Sequence, residues 1–358
     1  MKIKQIKWKE WFLILAGFFT VICAVAFLGC TRTSSSKTLK KALLETSFTE
    51  DGLGNEQDLS VNQEQLILGF SQIGAESAWR NCNSQSIKNA AKESGVQLLF
   101  ENAEQKQENQ IKAIRSFIAY QVDVIAFVPI VTSGWDNVLR EAKDAGIPVL
   151  ATDRKIETDD ITLYAGFIGT DSEQEGRHAA QFLQDSFPYA TLKKGIRIVE
   201  ISGTEGSSVA IGRAEGFRKE LRDHPEFSIV FSRSGDFLRS KGYEIMSSIL
   251  ENSIPFDAVY SHNDGMTLGA IEAMKEWGLK PGVDVIIVSI DAEQAAIDAL
   301  KLGEINCVIE CNPKTGPLII ELSRKLARGQ QIPRLIHVEE QVFRQGDANL
   351  DTLPPRGY

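Results

Sequence analysis

From Leu66 onward the chain alternates short apolar runs with amphipathic stretches. Leu66–Ser71, Val96–Glu101, Val122–Pro129 and Ile147–Asp153 have the length and composition of buried strands. Between them, Gln107–Tyr120 places Ile111, Ile114, Phe117 and Ile118 at three- and four-residue spacing, one apolar face of a helix. A second helical pattern, Val138–Ala145, stops at Gly146 with Pro148 beyond. Nearly continuous apolar strands separated by helices predict a parallel sheet covered on both faces. The rhythm then restarts. Strands at Ile196–Ile201, Ser228–Ser232, Ala258–Ser261, Val285–Ser289 and Ile305–Ile309 alternate with helices near 207–223, 239–251, 266–277 and 293–302. A helix at Gly316–Ala327 and a last strand at Leu335–Val342 complete the pattern. The expected fold class is therefore α/β, two doubly wound parallel-sheet units in series. Neither unit opens on GxGxxG or a phosphate loop, and Gly203-Thr204-Glu205-Gly206 is too sparse for either.

Before residue 66 the pattern differs. Lys2, Lys4, Lys7 and Lys9 precede an apolar run from Trp11 to Gly29 that ends in Phe27-Leu28-Gly29-Cys30. Residues 1–29 are expected to be a signal peptide. The small residue before Cys30 resembles a bacterial lipoprotein box, with Cys30 lipidated, although Phe27 stands where Leu is usual. An uncleaved anchor helix is the alternative, since the run approaches the ~20 residues that span a bilayer. The polar Thr31–Ser36 directly after Cys30 favours the lipoprotein. Both readings place the remainder outside the cytoplasmic membrane. Residues 30–65, rich in Ser, Thr, Glu, Gln and Asn, read as a polar tether with a short helix near Leu39–Leu44.

Composition adds little: 43% hydrophobic and 24% charged residues are ordinary for a globular chain, and a net charge of −9 argues against a nucleic-acid-binding face. Cys307 and Cys311, on one strand, would lie ~13 Å apart, too far to bridge. No His or Cys pair matches a metal site near them, so they and Cys82 are read as small buried residues.

Ligands of open parallel sheets sit beyond the carboxyl ends of the strands. The first strand leads into Gly69–Arg80, GFSQIGAESAWR, which brings Glu76, Trp79 and Arg80 together as a helix begins. The fourth ends in Asp153-Arg154. In the second unit the strands lead to Arg213, to His262-Asn263-Asp264, to Asp291 and to Glu310. Each has a plain alternative: Asp153-Arg154 as a surface ion pair, Asn263 and Asp291 as helix caps, Trp79 as core, Arg213 as a solvated residue. Their recurrence at one edge of both sheets is what singles them out.

GFSQIGAESAWR, ENAEQKQENQIKAIRSF, VPIVTSGWDNVLREAKDAGIPVLATDR, SVAIGRAEGF, SGDFLRSKG, YSHNDGMTLGAIEAMKEWGLKPG and SIDA together resemble the periplasmic sugar-binding proteins of ABC importers. Within the ribose-binding-like group they are most similar to the galactofuranose-binding branch, from about Leu66 to Ile332. The resemblance implies two α/β lobes joined by three crossovers, a type I periplasmic binding protein, with the ligand between them. It implies a sugar held by Glu76, Ser77, Ala78, Trp79, Arg80, Asp153, Arg154, Arg213, Asn263 and Asp291, with His262 and Ala292 departing from the usual neighbours. The crossovers are expected near Ile168–Asp171, Glu310–Asn312 and Arg334. Lobe one would comprise 66–168 and 311–334, and lobe two 169–310 and 335–358. The implied partners are a monosaccharide, an ABC permease with its ATPase, and the membrane through the lipid anchor. The protein would act as a monomer without cofactor, metal, catalysis or nucleic acid.

The proposed residues agree with that ligand. Arg80, Arg154 and Arg213 balance Glu76, Asp153 and Asp291, and Asn263 supplies a donor and an acceptor, a set suited to a neutral polyol rather than an anion. Trp79 offers a face for the ring. Three rivals remain. Paired acids could mark a glycosidase, but an adjacent Arg lowers a carboxylate pKa and spoils a general acid. A sugar-responsive regulator would need a helix-turn-helix where the signal and tether stand. A sensor feeding a chemoreceptor or kinase would look the same.

Overall fold

In the computed structural model, residues 65–187 and 193–358 are described. The expected signal peptide, Cys30, tether and short helix near Leu39–Leu44 lie outside them. Two six-stranded sheets form, each wound with helices on both faces.

The first sheet contains β1 (Ile67–Gln72), β2 (Gln97–Asn102), β3 (Val124–Phe127), β4 (Val149–Thr152), β5 (Gly166–Gly169) and β11 (Leu335–His337). Its order is β11-β5-β4-β3-β1-β2, with all neighbours parallel. The second contains β6 (Ile196–Ser202), β7 (Phe227–Ser234), β8 (Ala258–Ser261), β9 (Ile286–Asp291), β10 (Cys307–Glu310) and β12 (Val342–Arg344). Its order, β12-β10-β9-β8-β6-β7, repeats the first, except that β12 runs antiparallel to β10. The central strands β3, β4, β8 and β10 are buried along their whole length. Burial on both faces is why they read as unbroken apolar runs rather than alternating ones.

Nine α-helices are found among the described residues: α1 (Ala78–Glu93), α2 (Gln107–Tyr120), α3 (Asp136–Asp144), α4 (Ser172–Ser186), α5 (Ser208–Glu220), α6 (Arg239–Glu251), α7 (Asp264–Glu276), α8 (Gln294–Lys301) and α9 (Gly316–Ala327). Four of their N-termini are fixed by side-chain caps. Ser77 accepts from Arg80 N, Asp171 from Gln174 N, Ser207 from Ala210 N and Asn263 from Met266 N. The caps sit where a strand turns into its helix, so they set the geometry of the carboxyl edges. In each sheet the order reverses at the first strand, β1 or β6, which opens a crevice at that edge.

The chain passes between sheets three times. It leaves β5 and enters the second lobe at Thr170–Asp171, ahead of α4. It returns after β10 at Cys311–Thr315, and α9 then packs on α1, where Asn83 Nδ2 donates to Pro313 O at 3.0 Å. The third passage corrects the sequence reading. Leu335–Val342 is not one strand of lobe two. Leu335–His337 pairs with Phe167–Gly169 in the first sheet, and Val342–Arg344 pairs with Cys307–Ile309 in the second. The crossing lies at Val338–Gln341 rather than Arg334, and residues 335–337 belong to lobe one. Two short edge strands joined by an extended link carry the same local pattern as one strand, so only their partners separate them.

Candidate functional site

The carboxyl edges of the two sheets face each other across a small cavity, with about 30 Å3 open to the centre of a water-sized sphere. Its walls include Glu76, Ser77, Trp79, Arg80, Asp153, Arg154, Arg213, Asn263 and Asp291, together with Val209, Phe237 and Cys311. Ala78, expected among the contacts, is instead exposed at the start of α1 and is not on the wall.

Lobe one contributes a charged triad and one further guanidinium. Arg80 is buried; its Nε donates to Glu76 Oε1 at 3.0 Å and its Nη2 to Asp153 Oδ2 at 2.7 Å. Asp153 holds φ +62°, an uncommon backbone state for a non-glycine residue, at the turn out of β4. Arg154 Nη1 donates to Ile130 O at 3.0 Å. Burial and the neighbouring Arg80 charge bring Arg154 down to about 10, so it remains a cation at neutral pH. Three buried polar atoms of this wall have no partner in the protein: Glu76 Oε2, Arg80 Nη1 and Arg154 Nε. An unpaired buried donor or acceptor costs about 1–3 kcal/mol, so one acceptor and two donors here are poised for a polar ligand.

Trp79 is less free than its position suggested. Its indole Nε1 donates to Cys311 O at 2.6 Å, its backbone N donates to Glu293 Oε1 at 3.0 Å, and the Arg80 guanidinium lies 4.6 Å from its ring centroid.

Lobe two centres on Arg213, which is 2% exposed. Its Nε donates to Glu175 Oε2 at 2.6 Å, its Nη1 to the His262 carbonyl, and its Nη2 faces Asp291 Oδ1 at 3.6 Å. Burial works against the cation, but Glu175 and Asp291 hold it well above its ordinary value. Close helix packing makes this contact. A Cβ on Gly176 would fall 2.2 Å from Arg213 O, and one on Gly216 2.0 Å from Glu173 O, so α4 and α5 touch backbone to backbone. Asn263 is the cap of α7 and spends its Nδ2 on Phe237 O at 3.3 Å. Both the capping and the lining descriptions therefore hold for it. Asp291 sits at φ +127°, and burial, with Asp264 and Glu293 nearby, pushes its carboxyl up against the pull of Arg213.

Phe237 and Glu175 were not anticipated. The Phe237 ring lies 5.4 Å from the Arg154 guanidinium carbon and 6.0 Å from that of Arg213, an apolar face between two cations. Its segment, SGDFLRSKG, was visible as a motif, but nothing local marks the ring as inward. Glu175 lies inside α4 and not at a strand end, so the edge rule passes over it. It makes the charge balance four acids against three arginines.

The two lobes also bond directly around the cavity. Thr132 N donates to Gly206 O at 3.0 Å and Lys155 N to Ser208 Oγ at 2.7 Å.

Two doubly wound lobes joined by three crossovers, with a polar cavity between them, define a type I two-lobed solute-binding protein. A periplasmic binding protein domain model matches residues 68–331, and the chain belongs to that family. The chain is 43% identical over 263 residues to the galactofuranose-binding protein YtfQ of Escherichia coli (strain K12), covering 72% of this chain and 81% of that protein. Among solved structures, one from Mycobacterium smegmatis in complex with β-D-fucofuranose superposes with a TM-score of 0.77 at 45% identity, covering 80% of this chain and 93% of that one. The periplasmic binding component of the arabinose ABC transporter of Shewanella sp. ANA-3, bound to α- and β-L-arabinofuranose, gives 0.75 at 42% identity with the same coverage.

Proposed function

We propose that this protein captures a neutral monosaccharide in its furanose form, galactofuranose or a close relative, and delivers it to an ABC importer from outside the cytoplasmic membrane. The observation that carries the reading is the trio of unpartnered buried atoms, Glu76 Oε2, Arg80 Nη1 and Arg154 Nε, on a wall whose other charges are already paired. A sugar hydroxyl can both donate to the carboxylate and accept from the guanidinium groups, and it brings no charge to compensate. Phe237 and Trp79 would cover the C–H faces of the ring. Support for a five-membered ring comes from relatives at 42–45% identity whose names or bound ligands are furanoses. Sugar bridging the lobes would favour the closed form, which a permease would then recognise. Cys30 would anchor the protein by lipid, the segment to residue 65 would act as a tether, and the working unit would be a monomer. Relatives of this family are binding proteins, which weighs against the glycosidase reading. A sensor role would use the same closed form.

Calorimetry and thermal shift with galactofuranose, galactose, arabinose, ribose and fructose test the reading. Binding is expected for sugars that reach a furanose form, and a galactoside locked as a pyranose is expected to give none. Arg80→Ala and Asp291→Ala should each abolish sugar-dependent stabilisation while leaving a folded protein by circular dichroism. Stabilisation retained in both variants would remove the site assignment, and no heat with any sugar would overturn the function.

A further inference from the structure

The three crossovers meet behind Arg213. Thr170 of the first has its hydroxyl 3.6 Å from Cys311 Sγ of the second. Glu340 of the third reaches Glu175 at the start of α4, and an oxygen of each carboxyl lies within 4.8 Å of the other and of Cys311 Sγ. Glu175 is fully buried. Its Oε2 is taken by Arg213 Nε at 2.6 Å, but its Oε1 has no donor, and neither has Glu340 Oε1. Two carboxylates placed so would repel and leave two buried acceptors unsatisfied. One proton between them removes both penalties: the acid donates and the carboxylate accepts.

We propose that Glu340 is a positioning residue for the cleft, its carboxyl sharing one proton with Glu175 so that the pair fixes the Arg213 guanidinium from the hinge. The proposal rests on the sugar-binding reading above. The groups facing Glu340 are Glu175 on α4, Arg213 on α5, the Asp171 backbone on the first crossover and Cys311 on the second. Burial, then the Glu175 charge, pushes Glu340 up to about 11. Glu175 is itself held below the usual carboxylate range, because Arg213 outweighs its burial. The proton therefore resides on Glu340 at neutral pH. A divalent cation on Glu175, Cys311 and Glu340 is the competing occupant. It is disfavoured because Arg213 already neutralises Glu175 and burial keeps the Cys311 thiol protonated.

The sign of the pH effect follows. Glu340 rises from an ordinary 4.5 to about 11 on folding, so its contribution to stability is full below pH 4.5 and is lost as pH climbs toward 11. Glu340→Gln keeps a donor for Glu175 without a titrating proton, whereas Glu340→Ala removes it. In the full-length protein, the infrared difference between wild type and Glu340→Gln at pH 8 should show a protonated carboxyl stretch. The fall of melting temperature from pH 7 to 10 should be shallower in Glu340→Gln. Galactofuranose affinity should be kept within about twofold in Glu340→Gln and lost by about tenfold in Glu340→Ala, the scale of one buried hydrogen bond. Absence of the carboxyl stretch, wild-type affinity in Glu340→Ala, or one equivalent of tightly held metal by elemental analysis would overturn the proposal. Should Glu340→Ala not fold, the stretch and the Glu340→Gln slope still decide it. Should the wild type bind no sugar, the function reading fails and the positioning role with it, while the stretch still decides the proton pair.

Discussion

Phe237 owes its place at the cleft to Gly203. A Cβ on residue 203 would lie 2.0 Å from Phe237 Cζ, so the ring occupies space that only glycine leaves open at the end of β6. Phe237 itself sits at φ +61°, following Asp236 at +54°. A tight left-handed turn thus delivers an apolar surface between Arg154 and Arg213. Gly203→Ala is expected to displace the ring and weaken sugar binding about tenfold, with a stability cost of ~1–3 kcal/mol from overpacking. Calorimetry checks it, and unchanged affinity would take Phe237 off the sugar surface. Asp153, Arg154 and Asp291 were legible in the sequence because each follows an apolar run directly. Phe237 was not, since an aromatic residue in a loop reads equally well as core. Glu175 and Glu340 were missed for a related reason. Their partners lie on other segments, and a buried acid looks the same in a sequence as a solvated one.

The pairing of α4 with α5 shows what an element can hide. Gly212 and Gly216 stand in the middle of a helix, where glycine costs about 1 kcal/mol. In the fold they let α5 press its backbone on α4, which places Arg213 against Glu175. Gly216→Ala would put a methyl group 2.0 Å from a backbone carbonyl that no rotamer change can move. Destabilisation of ~1–3 kcal/mol is expected, together with weaker sugar binding, because Arg213 rides on the same helix. Urea unfolding and calorimetry on one preparation measure both. Loss of stability with intact affinity would separate the helix contact from the site. Most element positions were well marked, with β4 and α9 found where their apolar patterns lie, but β5 and α4 were not read from the sequence. The last strand was misread too, because two edge strands of different sheets share one stretch of sequence.

At the scale of the whole molecule, closure is held by bonds that involve no ligand: Thr132 to Gly206, Lys155 to Ser208 and Trp79 to Glu293. Two of these use side chains that can be removed without touching the cavity's arginines. The double variant Ser208→Ala with Glu293→Ala should shift the protein toward an open form and weaken sugar affinity roughly tenfold, at about 1 kcal/mol or less per bond. Small-angle scattering reads the outcome directly. The wild type should compact on adding sugar, and the variant should need more sugar to reach the same radius of gyration. Equal sugar dependence in both would mean that these bonds do not govern closure.

The sequence by itself determined the two doubly wound units, most of their strands and helices, and most of the charged residues that line the cavity. These are written locally, in apolar periodicity, in caps such as Ser77 and Asn263, and in the polar residues that follow each strand. The tertiary structure decided which sheet the chain's last strands join, that Asn263 and Trp79 spend hydrogen bonds on the protein itself, and that Phe237, Glu175 and Glu340 belong to the site or its support. Those facts depend on contacts between segments far apart in the chain. No local pattern encodes the partner of an edge strand or the donor missing from a buried carboxylate.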